Sequence, residues 1–323
     1  MKTIIGLLIL GGLFLSGCEE DPVIQVDGFQ SHPVIYSMIN VNDTEHYIRV
    51  ERFYSGNAAA EVTGKNPDSL YYKDPKITVV LIGPTKYVTL TPVPVLITDK
   101  EEGFFQAPDY QVYKFNQILK NTRDLIYSTI TIKVEVPGLP ISIATTALQV
   151  SPVIWNPYKA QETFYIVPDS PIRIQWSGGD WNEVDMSFEI MEQYPDSLAK
   201  KVVRIQRSND NFITGHYYEV AFSFELLVEL INKQLKPNRN LVRRYFGYVH
   251  TQVHTGNRDF AQYMQWLNGI NDFNDLSYTN VVNGHGLVAS RSTTVRDSLL
   301  LDYWSRMGLA DEPRLEALGF IEY

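Results

Sequence analysis

His250 and His254 are the two residues whose type and spacing come nearest to a metal site. They stand in RRYFGYVHTQVHT, where Val249, Thr251, Val253 and Thr255 favour an extended backbone over a helix. At about 3.3 Å per residue the two imidazoles share a strand face but lie about 13 Å apart, too far for one zinc ion to bridge. Two histidines facing solvent or packing on a sheet are therefore expected. NGINDFNDLS offers four oxygen donors, Asn271, Asp272, Asn274 and Asp275. Counting from Asp272, Ser277 stands where an EF-hand loop needs glycine and Asn283 where it needs glutamate, so a polar loop ending a helix is expected. Trp181, in SGGDWNEVD, is placed in a loop by its neighbours. It either stacks on a sugar or partner beside the nearby carboxylates, or folds back over the core, where burial of so large a ring is strongly favourable. Glu51 and Asp180 have the chemistry of a glycosidase acid pair, whose separation a sequence cannot give. There is no Gly-x-Ser-x-Gly elbow, Walker-type phosphate loop, His-Glu-x-x-His or dinucleotide fingerprint. No catalytic residue and no metal ligand is assigned, and a non-enzymatic role is expected.

The remaining reactive side chain is Cys18, the sole cysteine among 323 residues, which excludes an internal disulfide. Lys2 is the only charge before the apolar run Ile4 to Leu15, which is too short for the about 20 residues of a membrane-spanning helix. A positive start, a short apolar core and small residues at its end describe a cleaved export signal. Leu15-Ser16-Gly17-Cys18 resembles the bacterial lipobox. That resemblance implies diacylglycerol on the Cys18 sulfur, cleavage before it and acylation of the new amine by a palmitate-type chain. Several chains together anchor stably, each buried methylene contributing about 0.8 kcal/mol. Residues 1–17 are then a signal peptide and 18–32 a tether, with the covalent lipid the only non-protein group expected. Glu19, Glu20 and Asp21 follow at once. Cysteine before an acidic run resembles the surface-export signal of Bacteroidota lipoproteins. It implies an outer-membrane protein displayed on the cell surface, the alternative being a plain solvated tether on the periplasmic face.

The elements that must carry these residues are mostly strands. In STITIKVEVPG, Ile130, Ile132, Val134 and Val136 fall on one face and Thr129, Thr131, Lys133 and Glu135 on the other, the period of a half-buried antiparallel strand. KITVVLIG and PTKYVTL predict a hairpin turning at Gly83-Pro84-Thr85-Lys86, and NVNDTE predicts a turn between PVIYSMI and HYIRVERF. Residues 33–151 are expected to form an antiparallel β-sandwich. A proline-punctuated connector leads into a second β-rich unit, 152–293, with inserted helices. FSFELLVELINKQL sets Phe224, Leu227, Val228, Ile231 and Leu235 on one stripe, and RDFAQYMQWLNGI predicts a helix ended by Gly269. Trp176 and Phe188, in IRIQWSGGDWNEVDMSFEIMEQY, resemble the core of a fibronectin type III (Ig-like) domain. The fold class is mainly β, with a short helical tail over 294–323. In that tail Leu299, Leu300, Tyr303, Trp304 and Met307 predict a broad apolar helical stripe, with Gly308 as its stop and Asp311 capping a second short helix. The stripe docks either on its own second unit or on a partner.

A formal charge of −9, or −10 once residues 1–17 and their Lys2 are gone, excludes a basic nucleic-acid footprint. Lipobox, acidic tether, N-terminal sandwich, Trp-bearing second domain and the late run Asn280-x-x-x-Gly284-x-Gly286-Leu287 together resemble uncharacterised Bacteroidota lipoproteins. Such lipoproteins accompany TonB-dependent transporters, so the resemblance implies an outer-membrane barrel or envelope protein as partner. A surface glycan-binding protein or glycan hydrolase is the alternative.

Overall fold

The computed structural model describes residues 31–53, 67–98, 110–119, 128–158, 163–168, 170–209, 217–269 and 278–321. Cys18, Glu19, Glu20 and Asp21, and the loop donors Asn271, Asp272, Asn274 and Asp275, lie outside them. In chain order the strands are β1 (Pro33–Asn40), β2 (Glu45–Arg52), β3 (Lys76–Ile82), β4 (Tyr87–Leu90), β5 (Val93–Ile97), β6 (Tyr110–Asn116), β7 (Thr129–Glu135) and β8 (Ser142–Ala147). Then come β9 (Val153–Asn156), β10 (Thr163–Phe164), β11 (Ile172–Ser177), β12 (Trp181–Gln193), β13 (Leu198–Asn209), β14 (Tyr217–Phe222), β15 (Arg243–Gly256), β16 (Val281–Val282) and β17 (His285–Leu301). The helices are α1 (Pro67–Leu70), α2 (Phe224–Gln234), α3 (Arg258–Leu267) and α4 (Tyr303–Ala310), followed by a 3-10 helix, Pro313–Leu318. Among the described residues no helix is long and apolar enough to cross a membrane.

The protein is mainly β, built as two sandwiches that share one large sheet. That sheet runs β13-β12-β15-β17-β1-β2-β6-β5, with β10 beside the end of β17. Its β1, β2 and β6 end faces the sheet β16-β8-β7-β3-β4, and Ile35, Ile48 and Phe115 pack with Ile77, Ile130 and Val134. Its β12 and β15 end faces β14-β11-β9 and α2, and Val184, Phe188 and Val253 pack with Ile174, Trp176 and Leu227. Alternation dictates this burial: in β7, Ile130, Ile132 and Val134 face the core as the sequence predicts. Trp176 and Phe188 are both fully buried in the second core. The predicted hairpin turns at Gly83, whose N–H donates to Lys86 O at 2.8 Å. α2 buries its predicted stripe behind an Ser223 N-cap, and Gly269 follows α3 at φ +67°.

β17 corrects the expected tail. Residues 285–291 run parallel to residues 34–40 of β1, residues 291–300 pair antiparallel with β15, and Leu300–Leu301 lie beside β10. The first sandwich is therefore not purely antiparallel, and residues 294–301 are strand. Leu299 and Leu301 face the core with Leu300 exposed between them, because ladders on both edges of β17 satisfy its backbone and impose a period of two. The helix begins at Tyr303, after Asp302, whose carboxylate accepts from the N–H groups of Trp304 at 3.2 Å and Ser305 at 3.1 Å. Gly308 lies inside α4, Asp311 is its C-cap, and Glu312 caps the 3-10 helix.

The run Asn280 to Leu287 makes this crossing possible. Asn280 accepts from Val288 N at 2.9 Å and donates to Val288 O at 2.7 Å, a side chain standing in for a strand. Gly286 sits at φ +110°, and a Cβ there would lie 2.1 Å from Ile35 O. One on Gly284 would lie 2.6 Å from Pro33 O, while Leu287 is buried.

Candidate functional site

On β12 the odd-numbered residues turn away from the core, so Glu183, Asp185, Ser187 and Glu189 share a face with His250 and His254 of β15 and Asp297 of β17. His250 is held between carboxylates. Its Nδ1 meets Asp297, and its Nε2 lies 3.2 Å from Glu189 Oε1, which also receives Lys200 Nζ at 2.7 Å. Burial pushes the Glu189 carboxyl up, but the Lys200 and His250 hydrogen bonds outweigh it and hold the group below its usual range. His254 has its own partner, Thr293 Oγ1 at 2.9 Å, and burial lowers its pKa. The two histidines thus lie on one strand face with separate partners, as their spacing predicts. Ser187 is the cross-strand neighbour of His250, yet both imidazole nitrogens meet carboxylates, so neither is directed at the Ser187 hydroxyl. Among the described residues no group of three or more histidine, cysteine, aspartate or glutamate side chains is placed to hold a metal ion.

Trp181 is not in a loop. It opens β12 opposite Gly256, and its ring meets Phe260 edge-on at 4.9 Å. Phe260 occupies the space a side chain on Gly256 would fill, so Trp181 folds back over the start of α3. The true loop is Gly178, Gly179 and Asp180, with Gly179 O accepting from Tyr218 Oη at 2.6 Å and Asn182 Nδ2 at 3.1 Å. Glu51 and Asp180 belong to different sandwiches. Glu51 pairs with Arg49 at 2.5 Å, whereas Asp180 faces Arg258 and Asp259 and has its pKa raised, chiefly by burial.

The tail residues divide between two fates. Leu299 joins the second core along with Leu309, Leu315, Leu318 and Phe320, and Phe320 stacks on Phe246 at 4.8 Å. Docking on its own unit is therefore what most of the tail does. Met307 is half-buried, but Leu300 and Tyr303 are exposed and Trp304 is 75% exposed, its ring edge-on to Tyr303 at 5.2 Å. Three exposed residues not singled out in the sequence adjoin them. Tyr248 pairs with Leu300 across the sheet, and Tyr165 and Val167 flank Ile166, whose N–H donates to Ser305 Oγ at 2.6 Å. Tyr165 and Val167 stand in the proline-punctuated connector and Tyr248 in a distant strand, so no local periodicity joins them in the sequence.

No protein-family model matches the chain, and no curated protein is similar to it. Among solved structures, the chain is similar to a DUF4785 family protein from Legionella pneumophila at 10% identity and a TM-score of 0.20, over 67% of this chain and 51% of that one. It is also similar to DIP-gamma IG1+IG2 at 9% identity and a TM-score of 0.17, over 81% of this chain and 96% of that one. A third likeness is to the C-terminal globular domain of an oligosaccharyltransferase from Pyrococcus abyssi, at 7% identity and a TM-score of 0.17, over 84% of this chain and 47% of that one.

Proposed function

We propose that this chain is a lipid-anchored protein of the bacterial outer envelope whose second sandwich binds another envelope protein. The observation that carries the reading is the exposed apolar surface of Leu300, Tyr303 and Trp304, with Tyr165, Val167 and Tyr248 beside it. Contiguous exposed apolar side chains mark interfaces, and Trp and Tyr are enriched in interface cores. The tether joins β1 where Val34 pairs with His285, at the start of β17, and Leu300 lies about 50 Å further along that strand at about 3.3 Å per residue. The surface is thus at the opposite end of β17 from the start of β1. The lipobox at Cys18 and the acids Glu19, Glu20 and Asp21 support outer-membrane anchoring and surface display, and the resemblance to Bacteroidota lipoproteins supports a transporter barrel as the partner.

The test is purification of the intact protein from membranes, comparing wild type with Leu300→Glu/Trp304→Ser. Mass spectrometry should show acylated Cys18, and an outer-membrane protein should co-purify with wild type and be lost from the variant at unchanged melting temperature. An unmodified Cys18 thiol, or a partner retained by the variant, overturns the reading.

A further inference from the structure

We infer that the first sandwich carries a binding pocket for a neutral saccharide between the segment 68–74 and β6. The inference does not depend on the partner surface of the second sandwich. The pocket has a volume of about 330 Å³ and is lined by Asp68, Tyr71, Tyr72, Lys73, Asp74 and Gln111. That lies at the lower end of the about 300–1,000 Å³ of small-molecule sites.

The segment is fixed from one side. Tyr72 is buried in the first core, its ring 4.9 Å from the Arg52 guanidinium and its hydroxyl 3.0 Å from Ser31 Oγ. Its neighbour Tyr71 is not part of that core. It is half-buried, and its hydroxyl is pushed up to about 12 by burial and then by the Glu51 charge, so it keeps its proton throughout the neutral range. Asp74 is exposed at φ +49°, a left-handed conformation that Asp adopts at less cost than most residues. Opposite, Gln111 donates Nε2 to Tyr113 Oη at 2.8 Å, which leaves its carbonyl oxygen to accept.

The lining has a consistent chemistry. The Asp74 carboxylate and the Gln111 carbonyl offer acceptors, while Lys73 and the Tyr71 hydroxyl offer donors. Sugar hydroxyls do both, and adjacent hydroxyls can donate to one carboxylate. The C–H face of a pyranose is matched to an aromatic face, whose quadrupole is negative. Two acids against one base disfavour an anion, and the donors Lys73 and the Tyr71 hydroxyl call for acceptors that an ammonium ion lacks.

Saturation-transfer NMR on the intact protein in detergent tests this with cellobiose, mannobiose and diacetylchitobiose, and with inorganic phosphate and putrescine as charged probes read by their own proton or phosphorus signals. At least one neutral disaccharide should bind in the millimolar range. Tyr71→Ala and Gln111→Ala should each weaken it about tenfold or more, with Tyr71→Phe keeping part of the affinity and Tyr217→Ala, on the other sandwich, keeping all of it. Melting curves confirm that each variant is folded, and Asp74→Asn, which retains the left-handed preference, replaces any that is not. Absence of saccharide binding, binding of phosphate or putrescine alone, or saccharide binding unchanged in the Tyr71→Ala and Gln111→Ala proteins overturns the inference.

Discussion

Replacing Arg244 by methionine is expected to detach the C-terminal segment from the second core. Arg244 is 2% exposed. Its Nε and Nη2 donate to Glu192 Oε1 at 2.9 and 2.6 Å, its Nη1 to Leu318 O at 2.6 Å, and its Nη2 also to Lys236 O at 2.8 Å. Its backbone pairs with the tail as well, through Gly319 O at 2.9 Å and Ile321 N at 2.9 Å. One side chain thereby ties β12, the segment after α2 and the 3-10 helix together. Methionine keeps much of the apolar volume but leaves Glu192 charged and buried, and two carbonyls without their donor. Removing one partner of a buried ion pair costs about 3–5 kcal/mol. At about 2–4 °C per kcal/mol for a unit of this size, the melting temperature should fall by about 6–20 °C. In the double variant Arg244→Met/Glu192→Leu the stranded charge is gone, so most of the loss should be recovered. Thermal melts of wild type, both single variants and the double variant measure this. A single variant melting within about 4 °C of wild type, or a double variant less stable than Arg244→Met, would refute the reasoning.

Three further outcomes follow from particular contacts. Burial pushes the Glu192 carboxyl up, but hydrogen bonds from Arg244 and Tyr194 and the Arg244 charge together hold it below its ordinary 4.5. A depressed folded value means that this stability is full above the unfolded value and is lost as pH falls through the folded one; Glu192→Gln should flatten urea-measured stability against pH below 4.5. Gly286→Ala puts a Cβ against Ile35 O in a left-handed residue and should cost about 2–3 kcal/mol in urea denaturation, with a change under 1 kcal/mol counting against the crossing geometry. Trp304→Ser, at a largely exposed position, should change stability by no more than about 0.5 kcal/mol; a larger loss would mean that the ring is part of the fold.

What the sequence shows and what it hides differ for a physical reason. β7 and α2 each carry a single period over their whole length, and each is found as predicted. Residues 299–307 satisfy two patterns at once, a helical stripe and a strand alternation that sets Leu299 and Leu301 inside. The choice is made by β15 and β10, whose backbone groups need partners and are remote in sequence. Trp181 misleads in the same way. Its Gly-Gly-Asp prelude reads as a loop, but the strand begins at once because Gly256 leaves room for Phe260. The Tyr71 pocket has no local signature, since Gln111 forms its opposite wall from another strand. Asn280, Gly284 and Gly286 were legible as a motif, though only the structure shows that they serve a strand crossing.

The same crossing explains why the two sandwiches are joined by hydrogen bonds rather than by apolar packing. Where β17 leaves β1 for β15, neither ladder is continuous, and backbone groups there need other partners. Small polar side chains supply them. Ser290, fully buried, donates to Ile39 O at 3.1 Å and accepts from Gln149 N at 2.9 Å. Asn257 donates to Ala147 O at 2.7 Å and to Thr146 Oγ1 at 2.5 Å, and accepts from Phe260 N at 3.2 Å and Ser290 N at 3.3 Å. Thr146 in turn donates to Asp259, which also receives Tyr278 Oη at 2.9 Å. Asn42 Oδ1 accepts from Thr293 N at 2.7 Å with Ser292 Oγ 3.0 Å away. Leaving any one of these buried groups unpaired costs about 1–3 kcal/mol, so a rotation that broke several together would cost much of a domain's stability. A seam of this kind contributes little apolar burial, but it admits few alternative geometries. It fixes the first sandwich, which carries the Tyr71 pocket, to the second, which carries the Leu300–Trp304 surface, along the strand that both share.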